Sequence, residues 1–128
     1  MKYSSQKDTE SFTEHDMQDK FNALWIDDVR TAPDDTEKWC WTSARSFHEA
    51  VFKLELMTFD RVSFDHDLAS FYGYKEMTGY DVALWLVQRK LDGHHVPTQF
   101  SVHSANPVGH ERIQGVIDRY LLPESPGV

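Results

Sequence analysis

Three short runs, each closing an apolar segment, bring together residue types that can bind a cation and handle a phosphate. "LWIDD" ends in Asp27-Asp28, "RVSFDHDL" carries Asp65, His66 and Asp67, and "FSVHS" ends in His103-Ser104. Charge at the end of an apolar strand is costly to bury unless something pairs with it. A divalent cation is one such partner. Carboxylates with few soft ligands suit Mg²⁺ or Mn²⁺, and the two histidines widen the choice to Zn²⁺ or Fe. A metal held there could orient a phosphate and stabilise the negative charge that develops on it. His66 or His103 could transfer a proton near physiological pH. Ser104 could donate a hydrogen bond to a phosphate oxygen. Arg30 follows the acidic pair by two residues; it either clamps a phosphate or balances Asp28.

Each run has a plainer reading on its own, because an acidic pair after a strand is also a common helix cap or solvated turn. What favours a shared site is the recurrence of such ends in one chain. Neighbouring residues of a strand point to opposite faces, so His103 and Ser104 share a site only if the strand has already ended. The same holds for His66 between Asp65 and Asp67, which makes the aspartates the firmer part of the set. His94-His95, beside Gly93 and Pro97, reads as surface loop.

The elements that must position these residues follow from periodicity. "ALWI" and "RVSF" are compact apolar runs, with "KWCWT" and "TQFSV" as further strands. "SFHEAVFKLEL" places Phe47, Ala50, Val51 and Leu54 on one helical face, and Ser46 and Glu49 have capping-box spacing. "TGYDVALWLVQRKLDG" is a second helix, opened by Thr78 and Asp81 and stopped by Gly93. Asn106-Pro107 starts a third, whose stripe is Ile113, Val116, Ile117, Tyr120 and Leu121. Strands alternating with helices imply right-handed crossovers and a mostly parallel sheet with helices on both faces. Four strands are visible and a fifth is not. In such a sheet all the strand ends lie on one edge, where ligands bind, so the topology gathers the three runs.

The chain of 128 residues fits one domain. Residues 1–20 read as a flexible N-terminal arm, 21–122 as the domain and 123–128 as a tail. A net charge of −8 argues against a broad nucleic-acid-binding surface, though not against a small phosphorylated ligand held by a metal. Cys40, the only cysteine, excludes an intrachain disulfide and a thiolate zinc cluster, and reads as a small buried hydrophobe. No run is long enough to cross a bilayer and no signal-peptide core is present, so a cytoplasmic setting is expected.

"LWIDDVRTAP", "VSFDHDL", "TGYDVALWL" and "VHSANPVG" together resemble the cyclic-phosphate processing receiver domain, a small family related to the CheY-like receivers and found in bacteria and their phages. The resemblance spans Leu24 to Leu122. It implies a receiver-like (flavodoxin-like) three-layer α/β/α fold with a mostly parallel sheet of four or five strands. It also implies that Asp28 and Asp65 bind a metal, that Asp27 supports them, and that the backbone carbonyl of Asp67 completes the shell. Asp65 would stand where ordinary receivers accept a phosphoryl group, and Ser104 would match the hydroxyl that contacts it. His66 and His103 have no counterpart in signalling receivers and tilt the expectation toward hydrolysis of a cyclic phosphate. The lysine that ordinary receivers carry after a fifth strand is not evident here. The expected activity is therefore a metal-dependent phosphoesterase, with Mg²⁺ or Mn²⁺ as cofactor and a phosphorylated small molecule or RNA end as ligand. In this reading Asp65, His66 and His103 are catalytic, Arg30 and Ser104 hold substrate, and Asp27, Asp28, Asp65 and Asp67 serve the metal. The alternative is a non-catalytic, receiver-like regulator that binds a host protein, its setting the host cytoplasm if a phage encodes it.

Overall fold

The structure, a computed structural model, describes residues 20–123. The expected arm, up to residue 19, and the tail from residue 124 lie outside the described residues. The elements run β1 (Phe21–Ile26), β2 (Trp39–Ala44), α1 (Phe47–Leu56), β3 (Arg61–Phe64), β4 (Ser70–Tyr72), β5 (Lys75–Met77), α2 (Gly79–Leu91), β6 (Gln99–Val102) and α3 (Pro107–Val116). A π-helical turn, Ile117–Leu121, prolongs α3; Leu122 N–H donates to the Ile117 carbonyl at 3.1 Å.

β1, β2, β3 and β6 form a parallel sheet in the order β2-β1-β3-β6. This is the order of the first four strands of a flavodoxin-like sheet. The receiver-like α/β class expected from the sequence is the one observed, and among the described residues no fifth strand joins β6. Side-chain alternation divides the sheet. Leu24, Ile26, Val62 and Phe64 are buried against Ala50, Leu54, Val82, Leu86 and Ile113 of the helices. Each such large side chain contributes roughly 1.5–3 kcal/mol on burial.

The layering differs from expectation. The crossovers β2-α1-β3 and β3-α2-β6 step in the same direction, so right-handed connections put α1 and α2 on one face. α3 packs beside α2 and shares the same core. Among the described residues the helices thus form one layer rather than two. The reason lies in residues 27–38, which join β1 to β2 without a helix. "DDVRTAPDDTEK" has no apolar stripe to bury, and Pro33 interrupts it. The segment instead lines the outer edge of β2: Asp35 Oδ1 accepts the Trp41 N–H at 2.9 Å, and Thr36 N–H donates to the Trp39 carbonyl at 2.9 Å. Edge groups are satisfied without another strand.

The face opposite the helices carries Trp25, Trp41, Arg61, Ser63 and Ser101, in rows fixed by the register Ala23↔Trp41, Ala23↔Arg61 and Ser63↔Ser101. Arg61 lies over the rings of Trp39 and Trp41, at 5.4 and 5.1 Å from their centroids.

Three further departures concern local structure. An antiparallel hairpin, β4–β5, stands between β3 and α2 where the sequence reading had none. Its two-residue loop is Gly73-Tyr74, with Gly73 at φ +63°, and a Gly-X pair between short alternating runs is the signal that reveals it. Tyr120, assigned to the apolar stripe of the last helix, is exposed, because the π-helical turn rotates it away from the core. Cys40 is half-buried, not fully buried.

Candidate functional site

The ladder hydrogen bonds continue one residue past three strands. Asp27 N–H donates to the Ala44 carbonyl at 3.0 Å, Asp65 N–H to Ile26 at 2.9 Å, and His103 N–H to Phe64 at 2.9 Å. Since Ile26, Phe64 and Val102 are register partners, Asp27, Asp65 and His103 form the next row, side by side at the carboxyl rim. Asp28 follows at the start of the loop. Carboxylate oxygens of Asp27, Asp28 and Asp65 all lie within 4.8 Å of one another.

Two glycines allow the rim to close. A Cβ on Gly79, at the start of α2, would strike the Asp65 carbonyl oxygen. One on Gly109, in the first turn of α3, would strike the imidazole of His66. Caps hold the helices that carry these glycines. Asp81 Oδ2 accepts the Thr78 N–H at 2.8 Å, and Asn106 Oδ1 accepts the Gly109 N–H at 3.1 Å.

The acids have unequal surroundings. Asp27 is only 2% exposed. Burial alone would raise its pKa, yet the Arg30 and Val29 N–H groups, each 2.8 Å from Oδ1, together with His103, hold it below the ordinary carboxylate value. Asp65 is pushed up, first by burial and then by the charge of Asp27, against hydrogen bonds from the His66 N–H and the Ser104 hydroxyl. Burial pushes His103 down, and the attraction of Asp27 and Asp65 only partly offsets it. Crowding of Asp27 against Asp65 disfavours charge on Asp65.

Beside the cluster is an open cavity of about 380 Å³, lined by Asp27, Asp28, Arg30, Asp65, Asp67 and Asn106 among others. Arg30 Nη1 donates to the His103 carbonyl at 2.9 Å, which sets the guanidinium at the cavity wall. Asp67 lines the same space, but its carboxylate serves neighbours: Oδ1 lies 2.9 Å from His66 Nδ1, and Oδ2 accepts Asn106 Nδ2 at 3.4 Å. His66 packs on Gly109 and does not line the cavity.

His103 and Ser104 diverge once β6 has ended at Val102. Ser104 reaches Asp65 and accepts the Asn106 N–H at 3.1 Å. His103 turns onto the helix-free face, where its ring stacks on Trp25. Its Nε2 lies 3.0 Å from Asp27 Oδ2 and its Nδ1 2.8 Å from Ser63 Oγ, which in turn accepts from Ser101 Oγ at 3.0 Å.

Sequence pattern marks Asn106 only as a cap and Trp25 as core, whereas Trp25 is half-buried on the helix-free face; the pattern gives no role to Ser63 or Ser101. The signal for the latter three was strand parity: residues 25, 63 and 101 stand two before Asp27, Asp65 and His103, hence on the same face. His94 and His95 are both exposed, as expected of a loop.

Among the described residues no helix is long and apolar enough to cross a membrane. A family model described as the cyclic-phosphate processing receiver domain matches residues 22–119. No curated protein and no solved structure matches the chain.

Proposed function

The chain belongs to the cyclic-phosphate processing receiver domain family, and from that premise we propose that it is a metal-dependent phosphoesterase opening a cyclic phosphate, on an RNA 2′,3′-cyclic end or a cyclic nucleotide. The observation that carries this reading is the carboxylate cluster of Asp27, Asp28 and Asp65 beside a cavity walled by Arg30 and Asn106.

The donor set fits a hard cation. It offers carboxylate oxygens with no thiolate, and Asp65, whose pKa is raised first by burial and then by the charge of Asp27, would be relieved by a cation beside it. Asp28 and Asp65 would hold Mg²⁺ or Mn²⁺, with Asp27 behind them. Bound there, the ion would neutralise phosphoryl charge as it develops. Arg30 keeps N–H donors beyond the one given to His103, and these suit two phosphate oxygens at once. The Asn106 amide, which also lines the cavity, has a second N–H beside the one given to Asp67. Ser104 supports the site through Asp65 and does not line the cavity. Neither imidazole lines the cavity, so water would attack phosphorus and solvent would supply the proton to the oxygen that leaves as the P–O bond breaks.

Incubation of the protein with RNA bearing a 2′,3′-cyclic end, or with cyclic nucleotides, in Mg²⁺ or Mn²⁺ tests the reading. Ring opening should appear, stop with EDTA, and be lost in Asp65→Asn. An absence of metal-dependent turnover on every such substrate would sink it.

One observation favours a second reading. Both histidines are turned away, His66 to Gly109 and Asp67 and His103 to Trp25 and Ser63, which leaves the cavity without a nearby general acid. A site that binds a cyclic phosphate without cleaving it would then serve a regulator acting on a partner protein. Metal-dependent binding of the same ligands without product distinguishes the two.

A further inference from the structure

The segment between β3 and α2 leaves the rim and returns to it. The Gly79 N–H donates to the His66 carbonyl at 2.9 Å, so both ends of the excursion are tied beside the carboxylates. Asp67 lines the cavity and Ser70 opens β4; three residues span at most about 11 Å. The hairpin therefore rises next to the cavity. It leaves its aromatic side chains in water: Phe71 is 59% exposed, Tyr72 71%, and Tyr74 fully. A short two-stranded hairpin gains no stability from rings it does not bury. Its base rests on α1, where His48 Nε2 lies 3.2 Å from the Phe71 carbonyl and the His48 ring 6.1 Å from that of Tyr72. The same end of α1 reaches the cavity by a second route. Arg45, exposed and just before the Ser46 cap, donates from Nη1 to the Asp28 carbonyl at 3.4 Å and keeps further guanidinium N–H groups. The Glu49 carboxylate of that turn is occupied by the Arg45 backbone N–H at 2.7 Å and by Lys53 at 2.9 Å. From the cavity outward, a guanidinium and then aromatic rings thus follow one another.

We propose that this strip is a single-strand subsite: Arg45 takes the phosphodiester that precedes a 2′,3′-cyclic end, and Tyr72 and Phe71 stack on the bases before it. The proposal rests on the cavity's taking a cyclic phosphate, and it selects the RNA end over the free cyclic nucleotide. Unpaired bases are held by stacking on aromatic rings, with cations tracking the backbone. Stacking does not need a broad basic surface, which a chain of net charge −8 lacks. Glu76 stands opposite Phe71 in the hairpin, so that face suits a base and repels a phosphate. A protein partner would favour the aliphatic end of α1, where Leu56 and Met57 are exposed; the strip that adjoins the cavity is aromatic and cationic.

Fluorescence anisotropy of the full chain in Mn²⁺, read before any turnover, compares an RNA tetranucleotide ending in a 2′,3′-cyclic phosphate with the matching 2′,3′-cyclic mononucleotide as competitor. The tetranucleotide should bind roughly tenfold more tightly or better. Tyr72→Leu, which keeps an apolar side chain but loses the ring, should cut that advantage by roughly tenfold, the scale of one lost stack, and Tyr72→Trp should restore it. Arg45→Gln should lower the log–log salt slope of tetranucleotide binding by about 0.7, as one lost phosphate contact does on a single strand. Both side chains are exposed, so the variants should fold. Equal affinities for the two ligands overturn the subsite, even if both cyclic phosphates are opened. A tetranucleotide preference that no variant changes overturns it too, and assigns the exposed rings to a protein partner. A preference that depends on Tyr72 and Arg45, with neither ligand opened, upholds the subsite and sinks the phosphoesterase reading.

Discussion

His103 stacks face to face on Trp25, with ring centroids 3.7 Å apart and an interplanar angle of 4°. The pair joins β6 to β1 across the intervening β3, on the face the helices leave open. It also keeps His103 within reach of Asp27. Trp25→Leu keeps an apolar side chain but loses the stack. The expected cost is about 1 kcal/mol of unfolding free energy beyond lost area, read from urea titrations. It should be accompanied by weaker Mn²⁺ binding; unchanged binding would separate the stack from the acidic rim.

Divalent metal should stabilise the fold. At a hundredfold excess over its dissociation constant, a ligand specific for the native state adds about 2.7 kcal/mol. Thermal melts with Mg²⁺ or Mn²⁺ against EDTA should therefore shift upward in the wild type. Asp28→Asn and Asp65→Asn should abolish the shift, since each removes one charge from the cluster. Equal shifts in all three proteins would place the metal elsewhere.

Without metal, Asp65 works against the fold at neutral pH. Its native pKa lies above the ordinary value of 3.8, raised by burial and by Asp27. Its contribution is complete below the unfolded pKa and is lost as pH rises through the native one. Asp65→Asn in EDTA should consequently be more stable than wild type at pH 7, and the gap should narrow toward pH 4. A less stable Asp65→Asn at pH 7 would contradict this.

Asp81 behaves in the opposite sense. Burial would raise its pKa, but the Thr78 N–H and Lys75 outweigh that and hold it below 3.8. It stabilises the fold above the unfolded pKa and ceases to do so as pH falls through the native one. Asp81→Ala removes the acceptor that caps α2 and should cost about 1 kcal/mol at pH 7. That difference should shrink in acid-unfolding series below pH 4.

The two close-packed glycines should be intolerant of a methyl group. Gly79→Ala would drive into the Asp65 carbonyl, and Gly109→Ala would come within 2.7 Å of His66 Cβ. Each should destabilise by about 1–3 kcal/mol, as overpacking does. Gly79→Ala should also blunt the metal-dependent thermal shift, because it moves the backbone of an acid in the cluster. Gly115, with open space around its Cβ position, is the control.

Periodicity and strand-end chemistry were enough to read a mostly parallel α/β sheet, its four strands and the acids at its rim; the receiver-like class came from the resemblance of four motifs to a known family. Alternating apolar residues must bury one face, and parallel strands must end together, whatever the details of packing. The sequence alone could not say which way His66 and His103 turn. Both follow a strand, and their directions are decided by partners distant in the chain: Gly109 opens room for one ring, while Trp25 and Ser63 receive the other. Nor did local pattern show that the helices share one face, since that depends on which way each crossover steps through the finished sheet. Residue spacing determines what can meet along an element; only the assembled fold determines which of those side chains has space and a hydrogen-bond partner when it arrives.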